Sequence, residues 1–172
     1  MHMSLCDTAG QEDYNALRPL NYPGTDIFVL CYSVVEPAGF ENLKARWLAE
    51  LRKHAPGAPF VLVATKCDLR DDPVTRAKLA HAGKRAVTRE EGVAAQVEMG
   101  AVAFMESSAK TMEGVDEVFK QVFATALARW QSRDAERGGA SVAGAGGRGQ
   151  REGYSNDSRG RPRSGRCACV LQ

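Results

Sequence analysis

Three short segments carry side chains whose types and spacing could do chemistry: Asp7-Thr8-Ala9-Gly10-Gln11-Glu12, Thr65-Lys66-Cys67-Asp68 and Ser107-Ser108-Ala109-Lys110. Each follows a candidate strand, the place where α/β proteins present their ligand loops. Taken singly they are ordinary: Asp-x-x-Gly is a common turn, Thr-Lys-x-Asp a solvated strand end, and Ser-Ala-Lys means little. A fourth segment is the terminus itself, Cys169-Val170-Leu171-Gln172, which reads Cys-aliphatic-aliphatic-X, the ending that directs prenylation. Gln in the last place favours a farnesyl group, and Cys167 could accept a second, reversible acyl chain. Arg159, Arg161, Arg163 and Arg166 would draw this end to an anionic membrane surface, since one lipid chain alone anchors weakly. A structural metal is not expected, because His2, His54 and His81 lack a matching set of thiolates or carboxylates and no Cys-x-x-Cys occurs.

The elements that must position these residues alternate in period. Asp26–Val34 and Phe60–Ala64 are continuous apolar runs, the pattern of strands buried on both faces. Between them, Phe40, Leu43, Trp47 and Leu51 recur at helical spacing from Glu36 to His54, where Ala55-Pro56-Gly57 ends the helix. Val74–Ala82 reads as a short helix stopped by Gly83. Thr88 and Glu91 form a capping box for a helix to about Met99, Val102–Met105 is a short strand, and Met112–Trp130 is a helix. Trp47, Phe119, Phe123 and Trp130 are expected in or near the core, and Cys6, Cys31 and Cys67 as inert thiols. Buried strands alternating with amphipathic helices give an α/β fold with a parallel sheet.

Charge divides the chain at Trp130. Residues 1–130 hold 15 Lys+Arg against 17 Asp+Glu, and residues 131–172 hold 8 against 4 together with 9 of the 17 glycines. The formal +2 therefore combines a slightly acidic domain with a basic tail. A nucleic-acid partner is not expected, because its basic patch would normally lie on the folded part. The tail is poor in large apolar residues and is expected to be disordered over 131–172. Met1-His2-Met3-Ser4 does not read as a secretory signal, and scattered cysteines without a disulfide framework fit a reducing cytosol.

With these motifs in order, the chain resembles a Rho/Rac-type member of the Ras-related small GTPases from Leu5 to Trp130, including Tyr14-Asn15-Ala16-Leu17-Arg18-Pro19-Leu20 and Cys31-Tyr32-Ser33-Val34. The resemblance implies a Ras-type, P-loop NTPase-like sheet with flanking helices in a partial domain, residues 1–130. The long separation between Asp68 and Ser108 resembles the Rho subfamily's extra helical insert, here residues 71–86. It also implies GTP/GDP and Mg²⁺ as ligands. Asp7 would hold Mg²⁺ through a water, Gly10 would bring its backbone N–H to the γ-phosphate, and Gln11 would orient the attacking water. Asp68 would read the paired N–H donors of guanine, Lys66 would cover the purine face, and Ala109 N–H would meet the guanine O6. Thr65 stands where many relatives carry Asn; Ser108 and Lys110 belong to the same pocket.

By resemblance, the protein is a switch in signalling to the actin cytoskeleton, working with exchange factors, GTPase-activating proteins, dissociation inhibitors and effectors. Its place would be the cytoplasm and the cytoplasmic face of membranes, reached through the C-terminal lipid. One departure is plain: no Gly-x4-Gly-Lys-Ser/Thr run occurs in the 172 residues, and the glycine-rich Gly144–Gly149 follows no strand. The family places that loop and a Mg²⁺-ligating threonine upstream of Asp-Thr-Ala-Gly, so the first third of such a domain is expected to be missing here. That leads to the expectation that GTP binding and hydrolysis are defective. It leaves two alternatives, a non-enzymatic membrane-tethered fragment that binds regulators or effectors, and a non-functional truncated product. The family's first strand lies between the strand ending at Asp7 and Ile27–Ser33, so the sheet is expected to open at its middle.

Overall fold

The computed structural model describes residues 2–8, 17–139 and 165–171. Its strands are β1 (His2–Thr8), β2 (Ile27–Ser33), β3 (Phe60–Thr65), β4 (Ala103–Glu106) and β5 (Gly165–Leu171). Its helices are α1 (Pro37–Asn42), α2 (Ala49–His54), α3 (Pro73–His81), α4 (Arg89–Met99) and α5 (Val115–Gly139). The strands form one sheet in the order β1-β5-β2-β3-β4, with every strand pairing parallel. All strand C-termini therefore lie along one edge, and the loops after β3 and β4 open on that edge.

The alternation of side chains along β2 divides the core in two. Phe28, Leu30 and Tyr32 face Leu43, Trp47, Leu48 and Leu51 of the helical segment and Ala95 and Met99 of α4. Ile27 and Val29, with Val61 and Val63 of β3, meet Val118, Val122 and Ala126 of α5. The helix expected over Glu36–His54 is continuous but changes pitch, with a π-helical stretch over Leu43–Leu48 between α1 and α2. Bonding from i to i+5 brings Leu43 and Leu48, five apart, onto the buried side along with Trp47.

A charged anchor fixes the chain entering β2. Arg18 lies in a 3-10 turn (Arg18–Asn21), is 2% exposed, and donates to Glu50 from Nε at 2.9 Å and from Nη2 at 3.0 Å. Tyr22 donates its hydroxyl to the same carboxylate, and the Arg18 guanidinium sits 4.4 Å from the Trp47 ring centroid. Burial alone would raise the Glu50 pKa, but the Arg18 and Tyr22 hydrogen bonds outweigh it and hold it below the ordinary carboxylate value.

Four expectations are corrected. Residues 131–172 are not uniformly without structure, since α5 runs on to Gly139 and Gly165–Leu171 form a strand. Nor is the sheet open at its middle. β5 lies between β1 and β2, with Leu5 opposite Ala168 and Ile27 opposite the same Ala168. Finally, α5 begins at Val115 rather than Met112, whose φ of 63° is not helical, and Phe119 and Trp130 are 42% and 44% exposed.

The capping box of α4 forms as expected: Thr88 Oγ1 accepts from Glu91 N at 3.2 Å, and a Glu91 carboxylate oxygen accepts from Thr88 N at 2.9 Å. Arg85 grips the same carboxylate with two N–H groups at 2.8 and 2.7 Å. Breaking the Arg18 anchor by Glu50→Ala should cost about 3 kcal/mol in urea unfolding, because a buried guanidinium loses its partner. The Arg85 and Thr88 hydrogen bonds lower the Glu91 pKa from 4.5 to about 2. A depressed folded-state pKa contributes stability present in full above pH 4.5 and lost as pH falls toward 2. Glu91→Gln should therefore flatten the fall in melting temperature across that window, and an unchanged acid profile would contradict the assignment.

Candidate nucleotide site at the C-terminal edge of the sheet

The loops after β3 and β4 are tied together before any ligand is considered. β4 pairs with β3 in register, Ala64 opposite Glu106, and Ser107 N donates to the Ala64 carbonyl at 2.8 Å. The Ser107 carbonyl accepts from Cys67 N at 3.2 Å, so each loop holds the other's backbone. Ser108, fully buried, donates its hydroxyl to an Asp68 carboxylate oxygen at 2.6 Å and accepts from Thr111 N at 3.2 Å. Asp68 is held across 40 residues of sequence. One carboxylate oxygen is oriented by Ser108, and a carboxylate has acceptor capacity for further donors beyond that one.

Backbone conformation supports the lock. Lys66 has φ 59° and ψ 36°, the left-handed region, at the start of a 3-10 turn over Cys67–Leu69. A lysine there costs about 1–2 kcal/mol, which the surrounding hydrogen bonds must offset. Gly114, at φ +70°, passes so close to the end of β4 that a Cβ would lie 2.1 Å from the Glu106 carbonyl oxygen. Glu106 takes Arg70 from the β3 loop and Arg89 from α4, and Arg70 also donates to the Val87 carbonyl at 3.0 Å. Sequence reading missed Glu106, Arg70 and Gly114. The signal available for the last was a lone glycine just before a helical pattern.

Thr65, Lys66, Ser107 and Ala109 line one end of a cavity of about 690 Å³, whose other walls include Leu5, Val118, Phe119 and Val122. Thr65 itself donates its hydroxyl to the Tyr32 carbonyl at 3.0 Å, so it joins β2 to β3 rather than pointing a donor at a ligand. Ser33 also lines this cavity, and its buried hydroxyl has no hydrogen-bond partner among the described residues. Cys31, on the same wall, is an inert thiol: burial first, and Asp7 second, push its pKa up to about 12. Burial likewise raises that of Cys67.

The expected site residues thus separate into two groups. Thr65, Lys66, Asp68, Ser108 and Ala109 come together, with Lys110 exposed beside them. Asp7 is exposed near the end of β1, on the same edge of the sheet but three strand spacings from β3, about 14 Å. Gly10 and Gln11 lie outside the described residues. Cys167 and Cys169 are backbone positions of β5.

A base with paired N–H donors suits the Asp68 end: a fixed carboxylate, an exposed lysine stem, and the backbone of a loop clamped by Ser108. At the other end the strand between β1 and β2 is β5, described to Leu171. A Mg²⁺ ion would find the Asp7 carboxylate there as a hard oxygen ligand. The family model described as the Ras family matches residues 1–128. With its parallel sheet, flanking helices and two interlocked loops behind β3 and β4, the chain belongs to the Ras family, whose members are GTPases.

Proposed function

We propose that this is a Rho/Rac-type member of the family whose base-recognition end is intact and whose triphosphate end is weak. The observation that carries the reading is the Ser108–Asp68 hydrogen bond at 2.6 Å, which aims a carboxylate from one loop by means of the other. Asp68 accepts the N1 and N2 donors of guanine, Lys66 covers the ring, and Ala109 N–H meets O6. The Rho-type assignment is supported by α3, which stands in the 71–86 segment, capped by Asp72 accepting from Thr75 N at 2.8 Å. In that subfamily the expected role is a switch that signals to actin through effectors, under exchange factors, GTPase-activating proteins and dissociation inhibitors.

When bound, Mg²⁺ would neutralise charge on the β- and γ-phosphates, with Asp7 as its proposed carboxylate ligand through water. Gly10 and Gln11 keep their proposed roles at the γ-phosphate and the attacking water. The 172 residues contain no lysine-bearing phosphate loop to offset the rest of the charge. That favours a second reading for a polypeptide of these residues, a membrane-tethered binder of regulators or effectors without useful turnover. Membrane contact would come from a prenyl group on Cys169, with Cys167 as a second acylation site and the tail arginines against anionic lipid. No helix among the described residues is long and apolar enough to cross a membrane.

Titrating the purified chain with a fluorescent guanine nucleotide in Mg²⁺ buffer should give a dissociation constant weaker than about 1 µM, the range left when the phosphates lack a cradle. Asp68→Asn should shift the residual preference from guanine toward xanthine nucleotides, whose extra carbonyl accepts from the new amide. Submicromolar GTP binding with turnover lost in Gln11→Leu would overturn the defective reading, and unchanged base preference would remove Asp68 from its role.

For the tail, Cys169→Ser should abolish the lipid mass on the C-terminal peptide and move the protein from the membrane to the soluble fraction. A serine hydroxyl is a far weaker nucleophile than a thiolate. Equal membrane recovery after that change would show the ending to be a chance match.

A further inference from the structure

The residues that would receive the lipid are the same residues that complete the sheet. β5 is paired along both edges, with Cys169 opposite Cys6 and Phe28, Val170 opposite Asp7 and Val29, and Leu171 opposite Thr8 and Leu30. An enzyme that reads a Cys-aliphatic-aliphatic-X ending needs those residues as a free, extended end. A strand with neighbours on both sides has no free edge to offer. We propose that sheet completion and prenylation exclude one another, so that β5 pairing withholds Cys169 from the modifying enzyme and modification opens the sheet. The inference rests on the reading of Cys169 as a prenylation site and adds its regulation.

The chemistry makes the exclusion go both ways. The Cys169 thiolate attacks the first carbon of a prenyl diphosphate, a C–S bond forms as the C–O bond breaks, diphosphate leaves, and the thiol proton goes to solvent. Hydrolysis of the Cys169–Val170 peptide bond then releases Val170-Leu171-Gln172 and leaves a carboxylate on Cys169. Two of the released residues, Val170 and Leu171, are the β5 partners of Asp7, Thr8, Val29 and Leu30. After trimming, Asp7 and Thr8 of β1 and Val29 and Leu30 of β2 lose the strand between them. Among the described residues β1 pairs with β5 alone, so the Asp7-bearing strand loses its attachment at that end.

The competition is balanced rather than fixed. β5 has seven residues, of which Ala168–Leu171 pair on both edges, while Gly165 and Arg166, poor strand formers, pair with β1 alone. The lipid-free chain would thus hold the strand, while a departing strand exposes the ending to enzyme. A modification rate proportional to the fraction with the strand out follows.

The test follows the mass increase at Cys169 when the full, unmodified chain is incubated with farnesyl diphosphate and a protein farnesyltransferase. Two references are run beside it, the peptide 160–172 and the full-length variant Ala168→Pro. Proline at 168 leaves the last four residues intact but removes a backbone N–H and clashes inside a central strand. The peptide and Ala168→Pro should react at similar rates and the parent chain about tenfold more slowly or less, the ratio reporting the strand-out fraction. A parent chain that reacts as fast as the peptide overturns the exclusion and leaves the lipid reading standing. A peptide that remains unmodified overturns the lipid reading and the exclusion with it. Hydrogen exchange on the parent chain decides the matter independently of how the variant folds. Amides of Leu5–Thr8 should be protected before modification and lose that protection after modification and trimming, and exchange that is unchanged would overturn the proposal.

Discussion

A strand buried on both faces of a parallel sheet needs a partner on each edge, and β2 imposes that requirement on the whole molecule. Ile27, Phe28 and Leu30 are fully buried, so water cannot serve the backbone groups beside them. β3 satisfies one edge, in register from Phe28–Phe60 to Ser33–Thr65. Along Ile27–Leu30 the other edge is satisfied by β5, drawn from the far end of the chain, and β1 joins the sheet through β5. The position of Asp7 at the site edge is therefore a consequence of how the sheet is completed rather than of β1 alone.

The Asp68 end depends on something more local. Its two loops are separated by α3 and α4 in sequence but tied by backbone bonds between Cys67 and Ser107 and between Ser107 and Ala64. The arginines converging on Glu106 bind the β3 loop and α4 to the end of β4. Here the closeness of the backbone matters as much as the charges. Gly114 admits the Glu106 carbonyl where any side chain would collide with it, and this places Ser108 against Asp68.

What could be read from the sequence follows from how local each determinant is. β2 and β3 were legible because continuous apolar runs of their length have few other uses. The N-terminus of α4 was legible because Thr88 and Glu91 satisfy each other within one turn. The Asp68 loop was legible in composition, but its partner residues were not, since Arg70, Glu106 and Gly114 meet only after β3 and β4 pair. The π-helical stretch could not be seen because Leu43, Trp47 and Leu51 fit an ordinary helical period as well. Phe119 and Trp130 misled for a related reason: an apolar stripe on α5 is wider than the sheet face it meets, and Val118, Val122 and Ala126 take the buried positions. β5 was the least legible element. Its glycine- and arginine-rich surroundings carry no strand pattern, and only an unfilled slot between β1 and β2 gives Ala168-Cys169-Val170-Leu171 a reason to be extended.

The two ends of the candidate site are thus stabilised by interactions of different range, and this sets how they would fail. The Asp68–Ser108 lock draws on the residues from β3 to the start of α5, a run whose strand pairing does not involve β5. The Asp7 end requires residues 165–171, distant in sequence, to pair between β1 and β2. Opening of β5 would release β1 and Asp7 while leaving the Asp68 and Ser108 loops clamped to β3 and β4. Asp68 and Asp7 are thus held by different stretches of backbone, the first through β3 and β4 and the second through β5.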